Sequence, residues 1–434
     1  MNKDIVYFAL ECALKKGVQG ARISYGESIE GTISTLNSEI DNIRNATSRS
    51  ISLSLYVDGR FATFSTNKLT HEELERFITE CISSCRLLGK DPFRALPDPG
   101  RYFKGNGNSI LPSDPNFEQY TFDQKFQKLQ GTYDEIPKDK RIISIANEYN
   151  ETWRYDMIID SQGLEAYETH TSYILGSECT AKDSGDIRPQ NGWGNGEILF
   201  ENLSGGAGLK AYNRTVEMIG ARKINSGRYN VVFDNSVSAK GVSAIISAVS
   251  GSSIKEKNSF LLDTIGKKIF PEKLTIADDP HSPLSSGATC FDGEGVATKY
   301  SEIIKDGYVN MYLLNTYLSN KLNMAPTISS PNSIILPKND GISTEQIMKN
   351  IGKGILITGF NGGNSNPVTG DFSYGIEGFY FEDGIKLYPI KESNITGNFI
   401  SLWANNIFIG NDPIKFYKWQ IPGLAFADID ISGL

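Results

Sequence analysis

Residues 50–66 read SISLSLYVDGRFATFST, and this stretch constrains the fold more than any other. Ile51, Leu53, Leu55 and Val57 fall on one face of an extended chain, with serines and Tyr56 on the other. Such period-2 alternation marks a half-buried strand, and Asp58-Gly59 supplies the left-handed backbone of a tight hairpin turn before the chain returns through Phe61. The region must therefore build an antiparallel sheet with one face covered. Covering elements flank it. Ile5, Phe8, Ala9 and Cys12 recur at helical spacing within 3–17. After the hairpin, Thr70 is an N-cap with Glu73 three residues on, and Leu74, Phe77, Ile78, Cys81 and Cys85 form the inner stripe of a second helix.

Residues 90–117 are rich in Pro, Gly and Asn and read as a connector. A helix over Phe122–Ile136 and strands within 141–181 then repeat the helix-plus-meander plan. A linking helix over Ile198–Lys223 leads to SGRYNVVFDN (226–235), a buried strand. Beyond it, Asp292-Gly293, Glu294-Gly295, Asp306-Gly307 and Asp383-Gly384 punctuate apolar runs such as YVNMYLLNTYL and GILITGF. The fold class is α+β: an N-terminal helix-plus-antiparallel-meander region and a C-terminal sheet-rich domain with a few helices. With ~150 residues per domain as a prior, we expect an N-terminal domain over 1–222, itself made of similar subdomains near 1–95 and 115–222, and a C-terminal domain over 223–434.

The 51 acidic residues outnumber the 43 basic ones, for a formal charge of −8, and no long Lys/Arg run occurs. That balance argues against a surface that tracks nucleic-acid phosphates. No apolar run reaches the ~18 residues of a membrane span, and Glu11 interrupts what would be a signal-peptide core. The expectation is a cytoplasmic protein. Five scattered cysteines, Cys12, Cys81, Cys85, Cys179 and Cys290, are an odd number and suggest buried thiols rather than a disulfide framework.

Few residues offer chemistry. His71 in HEELE lacks the second imidazole one turn later that a zinc helix needs, and the Thr70 cap accounts for the local sequence. His170 lies in a strand among Thr and Tyr, and His281 in a proline-flanked loop; both read as solvated or singly hydrogen-bonded. GNGNS (105–109) and SGGAGLKAY (204–212) lack the strand–loop–helix context of a phosphate loop. GFNGGNSNPVTGDFS (359–373) reads as a long Gly/Asn loop after a buried strand, and Asn361, Gly362, Gly363 and Asn364 are its candidate binding positions. Asp292 and Glu294 are explained by a tight hairpin. No Ser-His-Asp or Cys-His set has a positioning context. The stretch GVSAIISAVSGSS (241–253) reads as a helix directly after the buried strand, where an enzyme often places its working residues, yet hydroxyls are its only polar side chains.

Five segments in order carry a specific likeness: SGRYNVVFDN (226–235), SSIKEKNSFLLDTIGKKIFPEKLTIADDP (252–280), FDGEGVATKYSEIIKDG (291–307), TGDFSYGIEGFYFEDGIKLYPIKESNITGN (369–398) and IGND (409–412). With TSRSISLSLYVDGRFATFST (47–66), the chain resembles the TldD/PmbA family, first described as modulators of DNA gyrase and understood as paired peptidase subunits. The resemblance implies two branches. The TldD-like branch carries His-Glu-x-x-x-His on the helix after the VVF-type strand, with a late Cys as a further zinc ligand; the TldE or PmbA branch lacks that set and serves as its partner. Placed without a gap, the motif's His positions fall on Val242 and Ser247 and its Glu position on Ser243. Zinc needs about three N, S or O protein ligands and a carboxylate that takes a proton from the bound water. Moving the register by a residue or two brings in none, because 236–253 contains no His, Cys, Asp or Glu, and no cysteine follows Cys290.

The resemblance thus implies a non-catalytic, TldE/PmbA-like subunit that is inactive alone, with zinc in a TldD-like sister subunit of a heterodimer. Its implied substrates are unfolded or leader-type peptides, including precursors of modified bacterial peptides and antitoxin proteins. The acidic balance and the lack of a long apolar run add the expectation of no nucleic-acid or membrane partner. The alternative is a stand-alone or homodimeric peptide-binding protein without proteolysis.

Overall fold

The computed structural model describes residues 3–184 and 188–434 and has the expected α+β architecture. Its first sheet is built on four long strands, Gly20–Leu36, Glu39–Val57, Ile142–Asp160 and Glu165–Ala181. Arg60–Thr66 pairs with Glu39–Val57 at one side, the first and third long strands meet antiparallel in the middle, and Gln190–Glu197 pairs with Glu165–Ala181 at the other side. The order is palindromic about the central pair, and the short strand Gly105–Asn106 also pairs with Glu165–Ala181. Asp58 and Gly59 take φ of 53° and 76°, and Val57 pairs with Arg60, so the hairpin turn is the one the Asp-Gly pair encodes.

The helices Lys3–Lys15, His71–Cys85, Phe122–Asp134 and Ala207–Val216 all cover one face of this sheet. Ile23, Ile51, Leu53, Leu55 and Met157 point at the first pair of helices and are at most 1% exposed. All five cysteines are free and buried, and burial pushes the Cys81 thiol up to about 12. The linking helix is shorter than the sequence suggests: only Ala207–Val216 is α-helical. Ser204-Gly205-Gly206 delays its start, with Gly206 at φ 96°, and Gly220 at φ 78° follows its end. The Glu135 carboxylate accepts from the N–H groups of Gly206 and Gly208, supplying the cap that the helix's own sequence lacks.

The helix Ala207–Val216 approaches Phe122–Asp134 so closely that a Cβ on Gly208 would overlap the Thr132 carbonyl oxygen. Gly208→Ala should cost about 1–3 kcal/mol through forced backbone displacement, read as a lowered urea midpoint with an unchanged slope.

The C-terminal half contains a closed ring of strands. Gly227–Phe233 runs parallel to Lys353–Ser365, which continues antiparallel to Asp371–Glu382 and then Ile385–Asn398. Leu424–Ser432 pairs with both Gly227–Phe233 and Ile385–Asn398 and closes the circuit; Asn406–Ile409 adds to its edge. Val231 and Phe233 point into the largest apolar cluster, while Val232 packs with Ile347, Met348 and Phe381 on the other side. A strand covered on both faces reads as an unbroken apolar run, which is why VVF shows no alternation. A small third sheet joins Ile276–Asp278, Ser301–Lys305, Tyr308–Val309, Ile334–Ile335 and Trp419–Gln420. Asp306-Gly307 and Asp383-Gly384 have the same paired positive φ as Asp58-Gly59 and make the same kind of turn.

Candidate functional site

The segment 241–253, read as one helix, is two in the structure: Lys240–Ala248 and Gly251–Lys255. Ser250 is extended and accepts from the Ser253 N–H, starting the second helix. Gly251 donates its N–H to the Leu313 carbonyl, and a Cβ there would sit 2.6 Å from that oxygen, so the break is fixed by close packing on 313. The first helix is held from below by Trp403, fully buried, whose Nε1 donates to the Gly241 carbonyl at 2.9 Å.

One face of Lys240–Ala248 is core and the other lines a cavity of about 170 Å³. Val242, Ile245 and Ile246 belong to the core, with Val242 and Ile245 wholly buried. Lys240, Ser243, Ala244, Ser247 and Ala248 face the cavity, opposite Ser365, Asn366 and Pro367, between Phe260, Tyr374 and Phe399. Of the three motif positions named from the sequence, the structure brings Ser243 and Ser247 to the cavity and sends Val242 into the core. The Ser247 hydroxyl donates to the Ser243 carbonyl at 3.0 Å. No His, Cys, Asp or Glu lines this cavity, and no cluster of three such residues able to hold a metal occurs among the described residues.

The Gly/Asn segment is not the free loop its composition suggested. Asn361, Gly362, Gly363 and Asn364 lie in the exposed end of Lys353–Ser365, with Asn361 opposite Gly375 and Asn364 opposite Ser373. The register shifts between them, and Gly362 and Gly363 take φ of 69° and 86°, a bulge in place of a loop. A neighbouring strand, which local composition cannot reveal, decides the difference. These four residues do not line the cavity; the next three do.

Several cavity residues were missed by sequence reasoning, Lys240, Phe260, Tyr374 and Phe399 among them. Lys240 is the only charged residue in 236–253, and that isolation was the available signal. Its Nζ lies 3.9 Å from the centroid of the Tyr374 ring. Tyr374 comes from a distant strand and gave no local signal.

A larger cavity, about 490 Å³, lies between the polar face of the first sheet and the segment 283–293. Arg154, Asp156 and His170 line it, with Arg154 paired to Asp156 at 2.6 Å. Glu168, 3% exposed, accepts from His170 Nε2 and from the Cys290 N–H, both at 2.9 Å, and the Thr289 hydroxyl lies 2.5 Å away. Burial pushes the Glu168 carboxyl up, but these hydrogen bonds outweigh it and hold the group below its ordinary range. His281 Nε2 meets the Thr298 hydroxyl at 3.1 Å, and the His71 ring lies tilted against Phe8 with centroids 4.2 Å apart. Each histidine is explained by a local partner.

Residues 226–433 match the sequence profile of the PmbA/TldA metallopeptidase C-terminal domain, and 21–85 match PmbA/TldA metallopeptidase domain 1. Metalloprotease PmbA of Escherichia coli O157:H7 is 27% identical over 443 residues, covering 99% of this chain and 96% of that protein. A crystal structure from Bacteroides thetaiotaomicron, whose suggested role is modulator of DNA gyrase, is 38% identical with a TM-score of 0.96, covering 100% of this chain and 99% of that one. TldE from Thermococcus kodakarensis, at 20% identity, a TM-score of 0.83 and 99% coverage of each chain, shares the fold. Fold and profile together define a metallopeptidase-related α+β protein. The chain belongs to the PmbA/TldD family.

Proposed function

We propose that this chain is the non-catalytic subunit of a heteromeric zinc peptidase acting on unfolded or leader-type peptides, with the zinc in a sister chain of the same family. One observation carries the reading: the cavity beside Lys240–Ala248 is lined by Lys, Ser and Ala where a metallopeptidase would present ligands and a base. In the gap-free placement Val242 lies in the core and Ser247 at the cavity. A register one residue later puts the three motif positions on Ser243, Ala244 and Ala248, all of which line the cavity. Neither register supplies a zinc donor, and neither supplies a carboxylate to deprotonate bound water. Lys240 adds a positive charge that opposes a divalent cation in the same space. The residues do not fit zinc, so no catalytic step is routed through this chain. The relatives named as metalloproteases support the family setting of the reading.

The test is zinc content and peptide cleavage for this chain alone, for a family member bearing His-Glu-x-x-x-His alone, and for the two mixed. Cleavage only in the mixture, with zinc tracking the sister, is expected. Stoichiometric zinc and cleavage by this chain alone would overturn the assignment. Cleavage by the sister alone, unchanged on mixing, would overturn it in favour of a separate peptide-binding protein.

A further inference from the structure

The cavity beside Lys240–Ala248 has features that a vanished metal site alone does not account for. At about 170 Å³ it is smaller than the ~300–1,000 Å³ typical of sites that enclose a whole small molecule. It has room for one residue of a larger ligand. Phe260, Pro367 and Phe399 give it apolar walls, and Ala244 and Ala248 add small apolar side chains to the lining. Among the described residues its one charged lining residue is Lys240, whose ammonium sits over the Tyr374 ring and faces no lining carboxylate. An ammonium against a ring face still has the N–H donors that point away from the ring for another acceptor.

Further donors converge there. The Ser253 hydroxyl accepts from Ser250 Oγ at 2.8 Å, so its own proton is available to a ligand. Asn366 uses its side-chain oxygen to accept from the Val368 N–H at 2.9 Å and the Thr369 N–H at 3.4 Å, which leaves its NH₂ group as a donor. Among the described residues the lining therefore presents one positive charge, N–H and O–H donors and no anion. Its complement is a small group with a full negative charge and several lone pairs, attached to a small apolar residue.

We infer that this cavity binds the C-terminal carboxylate of a peptide, with the Lys240 ammonium as the charge partner and a small terminal side chain against Phe260 and Phe399. The inference rests on the reading of the chain as a peptide-handling, non-catalytic subunit and names the part of the peptide it holds. A chain end fits better than an internal Asp or Glu, because an end brings backbone in from one side only. The position that coordinates a cation in a metallopeptidase has here become an anion site.

The test uses the full chain and a probe with an N-terminal fluorophore on a Gly-Ser spacer ending in Ala-Ala, followed by fluorescence anisotropy. The free acid should bind about 10-fold more tightly than the same peptide amidated at its C-terminus, ~1.4 kcal/mol for one charge-assisted contact. Lys240→Met should remove that ratio, while Lys240→Arg keeps most of it, with circular dichroism confirming that both variants fold. The preference should also shrink as salt rises.

Equal binding of acid and amide by the unmodified chain would overturn the inference. So would a preference that survives Lys240→Met, absence of binding by either probe, or an amidated probe ending in Glu that matches the free acid. Because binding is read on this chain alone, these failures are separable from failure of the heteromer: equal acid and amide binding beside cleavage only in the mixture would sink the carboxylate site and leave the subunit role standing.

Discussion

Trp403→Ala is expected to destabilise the protein by about 3–5 kcal/mol, the range for truncating a fully buried large aromatic residue. Trp403 heads the fully buried side chains by volume, and its ring meets Phe426 edge-on with centroids 5.5 Å apart. Its indole N–H also donates to the Gly241 carbonyl at 2.9 Å, so truncation leaves a cavity and removes a side-chain hydrogen bond beneath the helix that lines the candidate site. Against total stabilities of ~5–15 kcal/mol, this is a large fraction. Trp403→Phe retains much of the packing and isolates the hydrogen bond, with a loss of about 1–2 kcal/mol. Urea unfolding followed by circular dichroism measures both, and a loss below 1 kcal/mol for the alanine variant would contradict the role given to Trp403.

The second large effect is a pH dependence located at Asp278. This residue ends the strand Ile276–Asp278, is 0% exposed, and accepts from the Asn332 and Ser333 N–H groups through Oδ1, each at 2.7 Å. Its Oδ2 has no hydrogen-bond partner among the described residues, and burial pushes the carboxyl up from 3.8 to about 6. The folded state thus binds this proton more tightly than the unfolded chain. Its stabilising contribution is fully present below the unfolded value of 3.8 and is lost as pH rises through 6. The loss across that window is on the order of 3 kcal/mol. Asp278→Asn keeps an acceptor at Oδ1 but carries no titration. The stability of the variant relative to the parent should therefore rise between pH 4 and pH 8 by about that amount. Parallel pH profiles for the two proteins would rule out Asp278 as the source.

Much of the architecture was legible where the signal is local. Asp58-Gly59 specified its hairpin because two consecutive positive φ values need those residue types. Thr70 announced the helix His71–Cys85, and its hydroxyl accepts from the Glu73 N–H. Reading failed where a distant residue decides. The break at Ser250 depends on the Leu313 carbonyl packed against Gly251. The strand end at 361–364 depends on its partner at 373–375. The candidate site divides the same way. Ser243 and Ser247 were found because the motif's position after a VVF strand is local, whereas the Lys240–Tyr374 pair and the Asn366 wall exist only once the ring of strands has formed.

That ring also sets an order of events during synthesis. Gly227–Phe233 finds its two neighbours in Lys353–Ser365 and Leu424–Ser432, both of which leave the ribosome long after it does. Until then Val231, Val232 and Phe233 have no sheet to join, and contacts this remote in sequence form slowly. The first sheet and its helices need nothing beyond residue 216 for their long pairings and can assemble while the second half is still being made. A nascent chain arrested before Leu424 would carry open strand edges rather than a circuit, and open edges recruit other chains. Final assembly of the ring, and with it the cavity beside Lys240–Ala248, therefore waits for Leu424–Ser432.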